Sequence, residues 1–192
     1  MNYTSRPYTG KHDYLAMRSL LQVAYAINGP LVYATPGGID WRRALRENPR
    51  DWSFLRLWWD EKDELGGFAW LGSGHVDLFS HPTRRRVEAD MLAWSEQQRC
   101  ELPPGPDGRR TWRAWALTSD SSRQTLLGRN GYARAADGYA CFSYALESEA
   151  PSTPLPEGFA IRPAAGKDEW KARVELHRQA FDPSKFTAAQ YR

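Results

Sequence analysis

An α/β (α+β) fold, a mixed central sheet flanked by helices on both faces, is what the sequence predicts, and three observations carry that prediction. Period-two apolar runs alternate with helical stripes in the order β-α-α-β-β-β-α-β-α-β. In the middle of that order, residues 75–98 (HVDLFSHPTRRRVEADMLAWSEQQ) pass from a strand through a short turn into a helix. Late in the 192 residues, the opening β-α pattern returns.

The elements follow from local chemistry. Residues 3–8 read as a short polar strand. Residues 11–26 place Tyr14, Met17, Leu20, Leu21 and Ala24 at spacings of three and four, which predicts a helix ending at Asn28-Gly29-Pro30. A second short helix is expected over 40–47, capped by Asp40. Residues 53–59 and 67–71 predict an aromatic-rich hairpin across a charged turn. After the strand and helix of 75–98 comes a loop rich in proline and glycine, then a strand over 111–117. Ser121 and Gln124 form a capping box for a helix that stops at Asn130-Gly131, and 139–146 is the last strand.

The central stretch is the most informative. In the strand that begins at His75, Val76 and Leu78 share one face, while Asp77 and Phe79 share the other. This is expected to be the central strand of the sheet. His81-Pro82 ends it, because proline gives no amide to a ladder. Thr83 is placed to cap a helix with Val87, Met91, Trp94 and Gln98 along one stripe, so that Arg84, Arg85 and Arg86 fall in its first turn. Arginines at the positive end of a helix are unfavourable unless an anion sits among them. Such an end suits a pyrophosphate. The other reading is a solvated face, with Arg84–Glu88 and Arg86–Asp90 pairs worth at most about 0.2–0.5 kcal/mol each.

Composition narrows the function classes. The formal charge of +3 is near balance, which argues against nucleic-acid binding through Arg84–Arg86 and Arg109-Arg110, and no such partner is expected. Cys100 and Cys141 lack metal-ligand spacing, so no metal site is expected. The N-terminus has no apolar signal core, and no run approaches the ~18 apolar residues of a membrane span. A cytoplasmic protein with no membrane partner is the expectation.

The repeat is gapless. Arg6, Pro7, Gly10, Lys11, Tyr14, Ala16 and Leu20 match Arg162, Pro163, Gly166, Lys167, Trp170, Ala172 and Leu176 at one constant offset, with Asp13 facing Glu169. The expected organisation is a first domain over 1–147, a Pro/Ser-rich linker over 148–157, and the N-terminal fragment of a second copy over 158–192. In that fragment Trp170, Val174, His177 and Phe181 follow one helix face, with Trp170 and Phe181 expected among the most buried. With the rest of the copy absent, this face would promote docking or self-association.

The element order, with the strand, turn and helix of 75–98 at its centre, resembles the GNAT superfamily of acyl-CoA-dependent N-acyltransferases. Residues 174–192 (VELHRQAFDPSKFTAAQYR) look like the start of the C-terminal domain in tandem-GNAT proteins of the mycothiol synthase type. The resemblance implies acetyl-CoA as co-substrate, a small-molecule primary amine as acceptor, and a coenzyme site at Phe79, Ser80, Thr83, Arg84, Arg85, Arg86, Val87 and Glu88. His81-Pro82 matches the family's strand-end dipeptide, and Gly131-Tyr132 matches the start of its last strand. The family's glycine-bearing coenzyme loop is represented by Arg84 to Ala89, which has no glycine. Its helical Asn and its thiolate-protonating Tyr are represented by Asp120 and Leu127.

Acyl transfer to an amine needs a base, oxyanion donors and an acid for the thiolate. His75 and Asp77 are the candidate bases, the amides around Phe79 and Ser80 the candidate donors, and Tyr139 or Tyr144 the candidate acid; the alternative for each is packing or a solvated face. Two readings remain: an acyltransferase, aided or carried by the second copy, or a non-catalytic GNAT-like module that binds coenzyme A weakly or supports a partner domain.

Overall fold

The computed structural model describes residues 2–188 except 31, 46–51, 73, 99–107, 109, 110, 137, 141–153, 164, 165, 183 and 185. Both cysteines, Arg109-Arg110 and most of the expected last strand lie outside the described residues. The chain divides into two compact units, Met1–Tyr132 and Ala133–Arg192.

The first unit runs β1 (Tyr3–Pro7), α1 (Lys11–Asn28), α2 (Pro36–Leu45), β2 (Leu55–Asp60), β3 (Leu65–Gly72), β4 (His75–Ser80), α3 (Val87–Gln98), β5 (Arg113–Ala114) and α4 (Ser121–Arg129). The sheet order is β1-β2-β3-β4-β5, antiparallel except for the parallel β4–β5 pair. The mixed sheet and the element order through α4 are as expected. Among the described strands, however, the middle one is β3, which is buried on both faces, and β4 lies next to β5 at the edge.

Strand alternation sorts the side chains into two cores. Leu57, Trp59, Phe68, Trp70 and Phe79 pack beneath Met17, Leu20 and Leu21 of α1 and Ile39 of α2. On the other face, Trp58, Ala69, Leu71, Val76 and Leu78 meet Val87, Met91 and Leu92 of α3 and Leu127 of α4. Gly67 permits that second packing. A Cβ there would stand 2.8 Å from the Met91 sulfur and 2.9 Å from the Phe79 carbonyl oxygen.

Several boundaries differ from expectation, each for a local reason. α2 starts at Pro36 rather than Asp40, because proline suits the first helical position and the Thr35 hydroxyl accepts from the Gly38 amide at 3.3 Å. Asp40 instead accepts from the Tyr14 hydroxyl and pairs with Arg18. α4 is capped by Asp120, whose carboxylate accepts from the Arg123 amide at 3.0 Å, not by Ser121. β5 is two residues long, and residues 115–117 leave the ladder. Tyr139 and Ala140, where the last strand should open, have no regular structure.

An ion pair pins β1 to α1. Arg6 grips the fully buried Asp13 carboxylate with two nitrogens, at 2.6 and 2.7 Å, and the Thr9 amide and hydroxyl donate to the same group. In the second unit, Arg162 grips Glu169 with two nitrogens in the same manner, ahead of helix α5 (Trp170–Ala180). Residues 159–163 form no strand, and Phe159 and Ile161 are exposed. The expected burial is also reversed: Val174 and Phe186 are buried, Trp170 is intermediate, and Phe181 is 66% exposed. His177 stacks between Phe181 and Phe186, so it packs on the turn after the helix.

Gly67→Ala should cost about 1–3 kcal/mol in urea denaturation through overpacking. Gly128→Ala, in open space on α4, should instead gain roughly 0.5–1 kcal/mol. As for pH, burial works against ionisation of Asp13, but the bonds from Arg6 and Thr9 outweigh it and hold its pKa at about 2, against an ordinary 3.8. A depressed acid stabilises the fold fully above the ordinary value and loses that contribution as pH falls toward 2. Acid titration of Asp13→Asn should therefore lack a loss of up to about 2 kcal/mol that the parent shows between pH ~5 and ~2.

Candidate active site

The site begins where β4 and β5 part. Their ladder covers only His75↔Arg113 and Val76↔Ala114, after which no described residue pairs with β4 on that side. The His81 amide donates to Gly66 on the β3 side. By strand alternation the backbone groups of Ser80 and Leu78 therefore point toward the gap, and those of Phe79 toward β3. A cleft of about 370 Å³ opens there, walled by Leu21 and Ala24 of α1, by Tyr33, and by Phe79, Ser80 and Leu117. Of the two expected oxyanion donors, Ser80 faces the gap; Leu78 is the neighbour that the sequence reading missed.

A buried ionic cluster floors the cleft. Glu88, in the first turn of α3, is 2% exposed, and Arg123 of α4 is 1% exposed. Arg123 donates to both Glu88 oxygens, at 2.8 and 3.1 Å, and Arg85 does the same at 2.6 and 2.9 Å. The Ser80 hydroxyl donates to the same carboxylate. Arg85 also reaches Asp120 at 2.8 Å, and Tyr33 donates to Asp120 at 2.7 Å while Arg123 lies over its ring, 3.8 Å from the centroid.

These contacts set the charges. Burial alone would raise the Glu88 carboxyl, but the bonds from Arg123 and Arg85 hold it below its ordinary value. Asp120 follows the same logic, with burial outweighed by Arg85 and Tyr33. Burial pushes the Tyr33 phenol up to about 12. The cluster is thus two carboxylates, both held below their ordinary values, with two guanidiniums around them.

The turn before α3 differs from the expected helical start. Arg84, Arg85 and Arg86 precede the helix, in a turn closed by Arg84 N–H to His81, Val87 N–H to Arg84 and Glu88 N–H to Arg85. Acidic Glu88 and Asp90 occupy the first turn instead, as the helix dipole favours. Thr83 is exposed and bonds to His81 rather than capping. Arg84 pairs with Asp60 and Glu64 of the β2–β3 turn, Arg86 is exposed, and Val87 is core. Neither expected i,i+4 pair forms. The turn does not fit a diphosphate: its amides at 84, 87 and 88 bond inside the turn, and the guanidiniums of Arg84 and Arg85 hold internal carboxylates.

The candidate bases come together on the α1/α2 face. Asp77 pairs with Arg42 of α2 at 2.7 Å, with His75 Nε2 at 3.9 Å. The Arg42 guanidinium lies over Trp70 and Phe79, at 5.4 and 5.9 Å. Tyr139 belongs to the second unit and is 91% exposed. Among the described residues no cluster of His, Cys, Asp or Glu could hold a metal ion, and no helix is long and apolar enough to cross a membrane.

Comparison with solved structures decides the fold. The chain superposes on a GCN5-related N-acetyltransferase from Sphaerobacter thermophilus with a TM-score of 0.53 over 98% of its length, at 17% identity. The fold is the GNAT fold. The chain spans 61% of that relative's length. Weaker likenesses join it to a structure described as a phosphinothricin N-acetyltransferase (TM-score 0.49, 15% identity, 69% of this chain and 83% of that one) and to a transcriptional regulator from Bacillus halodurans C-125 (0.48, 14%, 74% and 100%). The fold statement rests on the first. No family model and no curated protein matches the chain. Within this GNAT fold the β4–β5 gap is floored by the Glu88 cluster, and the residue missed from sequence was Arg123, whose only local signal was its spacing from Asp120.

The cluster predicts its own energetics. Arg123→Met leaves Glu88 short of a buried partner and should cost about 3–5 kcal/mol in denaturant unfolding. Adding Glu88→Leu should recover much of that loss, because an apolar pair replaces a desolvated ionic one.

Proposed function

We propose that the chain works in acyl transfer from an acyl-coenzyme A thioester to a primary amine, as a GNAT-type N-acetyltransferase. The observation that carries this reading is the parting of β4 and β5, which turns the Leu78 and Ser80 amides toward the gap and leaves Ser80 on the wall of a 370 Å³ cleft. A bound thioester would supply the acyl group and a thiolate leaving group. The chain's part is to hold a carbonyl oxygen with these amides and to take the ammonium proton at Asp77 or His75. Arg42, paired with Asp77 at 2.7 Å, orients that carboxylate.

The repeat supports a tandem arrangement, with residues 158–192 as the opening of a second copy and 1–147 as the first. Its support is the paired clamp, Arg6–Asp13 and Arg162–Glu169, formed at matching positions. Self-association through 158–192 and a cytoplasmic setting belong to the same reading. A second reading, a GNAT-like module that binds coenzyme A weakly or supports a partner domain, is favoured by one observation: Arg84 and Arg85 are held by internal carboxylates.

The test is release of free thiol from acetyl-CoA by the chain across a panel of primary amines. The acyltransferase reading expects release that depends on both substrates, and Asp77→Asn should lower turnover about 10²-fold. Absence of amine-dependent release with every amine in the panel would leave the second reading.

A further inference from the structure

We infer that Glu88 occupies, from within the chain, the place of a diphosphate, so that the Met1–Tyr132 unit takes an acyl donor by its thioester arm without gripping the nucleotide. This rests on the acyl-transfer reading above and narrows its ligand to acyl-pantetheine-like thioesters. A diphosphate at the start of α3 would need guanidiniums, free amides and space. The guanidiniums of Arg84 and Arg85 are already committed, as are the amides at 84, 87 and 88, while Arg86 is exposed. Arg85 and Arg123 converge on the two Glu88 oxygens with four nitrogen contacts between 2.6 and 3.1 Å, the geometry with which a guanidinium pair holds an anionic group. The Ser80 hydroxyl completes the set. The carboxylate is nearly sealed, as is Arg123 beneath it. No glycine in residues 84–89 opens the turn to a ligand, and the amides of Arg84, Val87 and Glu88 donate to carbonyls of the turn. Arg84 is turned outward onto Asp60 and Glu64. The cleft that remains is lined by apolar and polar groups alike, and the two guanidiniums that reach it, Arg85 and Arg123, are already held by Glu88, with Asp120 beside Arg85.

Thermal-shift and calorimetric titrations of the full chain with inorganic pyrophosphate, coenzyme A and pantetheine test this. In the parent, pyrophosphate should give no saturable shift, and coenzyme A and pantetheine should act within about twofold of each other. Glu88→Gln removes the internal anion while keeping the side-chain shape. It should acquire a saturable response to pyrophosphate and bind coenzyme A about tenfold or more above pantetheine, the scale of hydrogen bonds to a charged group. A saturable pyrophosphate response in the parent that Arg84→Ala abolishes would overturn the inference, as would a folded Glu88→Gln chain that ignores pyrophosphate. The parent titrations decide the matter even if the variant does not fold. They are also independent of thiol release: a chain inert toward every amine but blind to pyrophosphate loses only the acyl-transfer reading, whereas an active chain that prefers coenzyme A strongly over pantetheine loses only this inference.

Discussion

Burial of one carboxylate organises the working end of the first unit. Glu88 sits in the opening turn of α3, where the apolar neighbours Val87, Met91 and Leu92 pull the helix down onto β3 and β4. Once that helix is docked, Glu88 has no route to water, and an unpaired charge there would cost several kcal/mol. Arg123 and Arg85 supply the compensation. Through them α3 is tied to α4, and through Asp120 and Tyr33 both are tied to the segment that follows α1. Ser80 adds the end of β4 to the same network. A single desolvated charge thereby fixes the positions of four pieces of chain around the cleft.

The cleft itself comes from an unfinished ladder. β4 has neighbours on both sides at His75 and Val76, and on the β3 side alone from Asp77 onward among the described residues. Backbone groups that lack a strand partner must find another donor or acceptor, and this is what makes the gap chemically active. The same alternation that aims Leu78 and Ser80 amides into it places Asp77 and Phe79 on the α1/α2 face, where Arg42 meets them. Polar backbone at the gap and a carboxylate on the α1/α2 face are thus presented by one strand of six residues.

The two Arg–acid clamps show what survives when a motif is used twice. Arg6–Asp13 and Arg162–Glu169 each join residues seven apart in the chain, so they form from local geometry. A strand is different, because it exists only against a neighbour. Residues 3–7 find β2, whereas residues 159–163 have no ladder partner among the described residues and stay irregular. Helix α5 forms regardless, since its hydrogen bonds are internal.

Sequence alone determined the element order through α4, the two faces of β4 and the helix stripes of α1 and α3, because each is written in a local period of 2 or 3.6. The strand, turn and helix of residues 75–98 were legible for that reason. The fate of the three arginines was not. Their i,i+4 partners on the chain suggested one pairing and an anion another, yet Arg84 found Asp60 and Glu64, and Arg85 found Glu88 and Asp120. Arg123, a cation in a short helix, carried only its spacing from Asp120 as a local signal, and nothing in it named Glu88 as its buried partner. Partners that lie 20 to 35 residues apart meet only when the sheet brings β2, α3 and α4 to one end. Charge has no periodicity to betray its partner, and the choice among partners belongs to the packing that removes water from them.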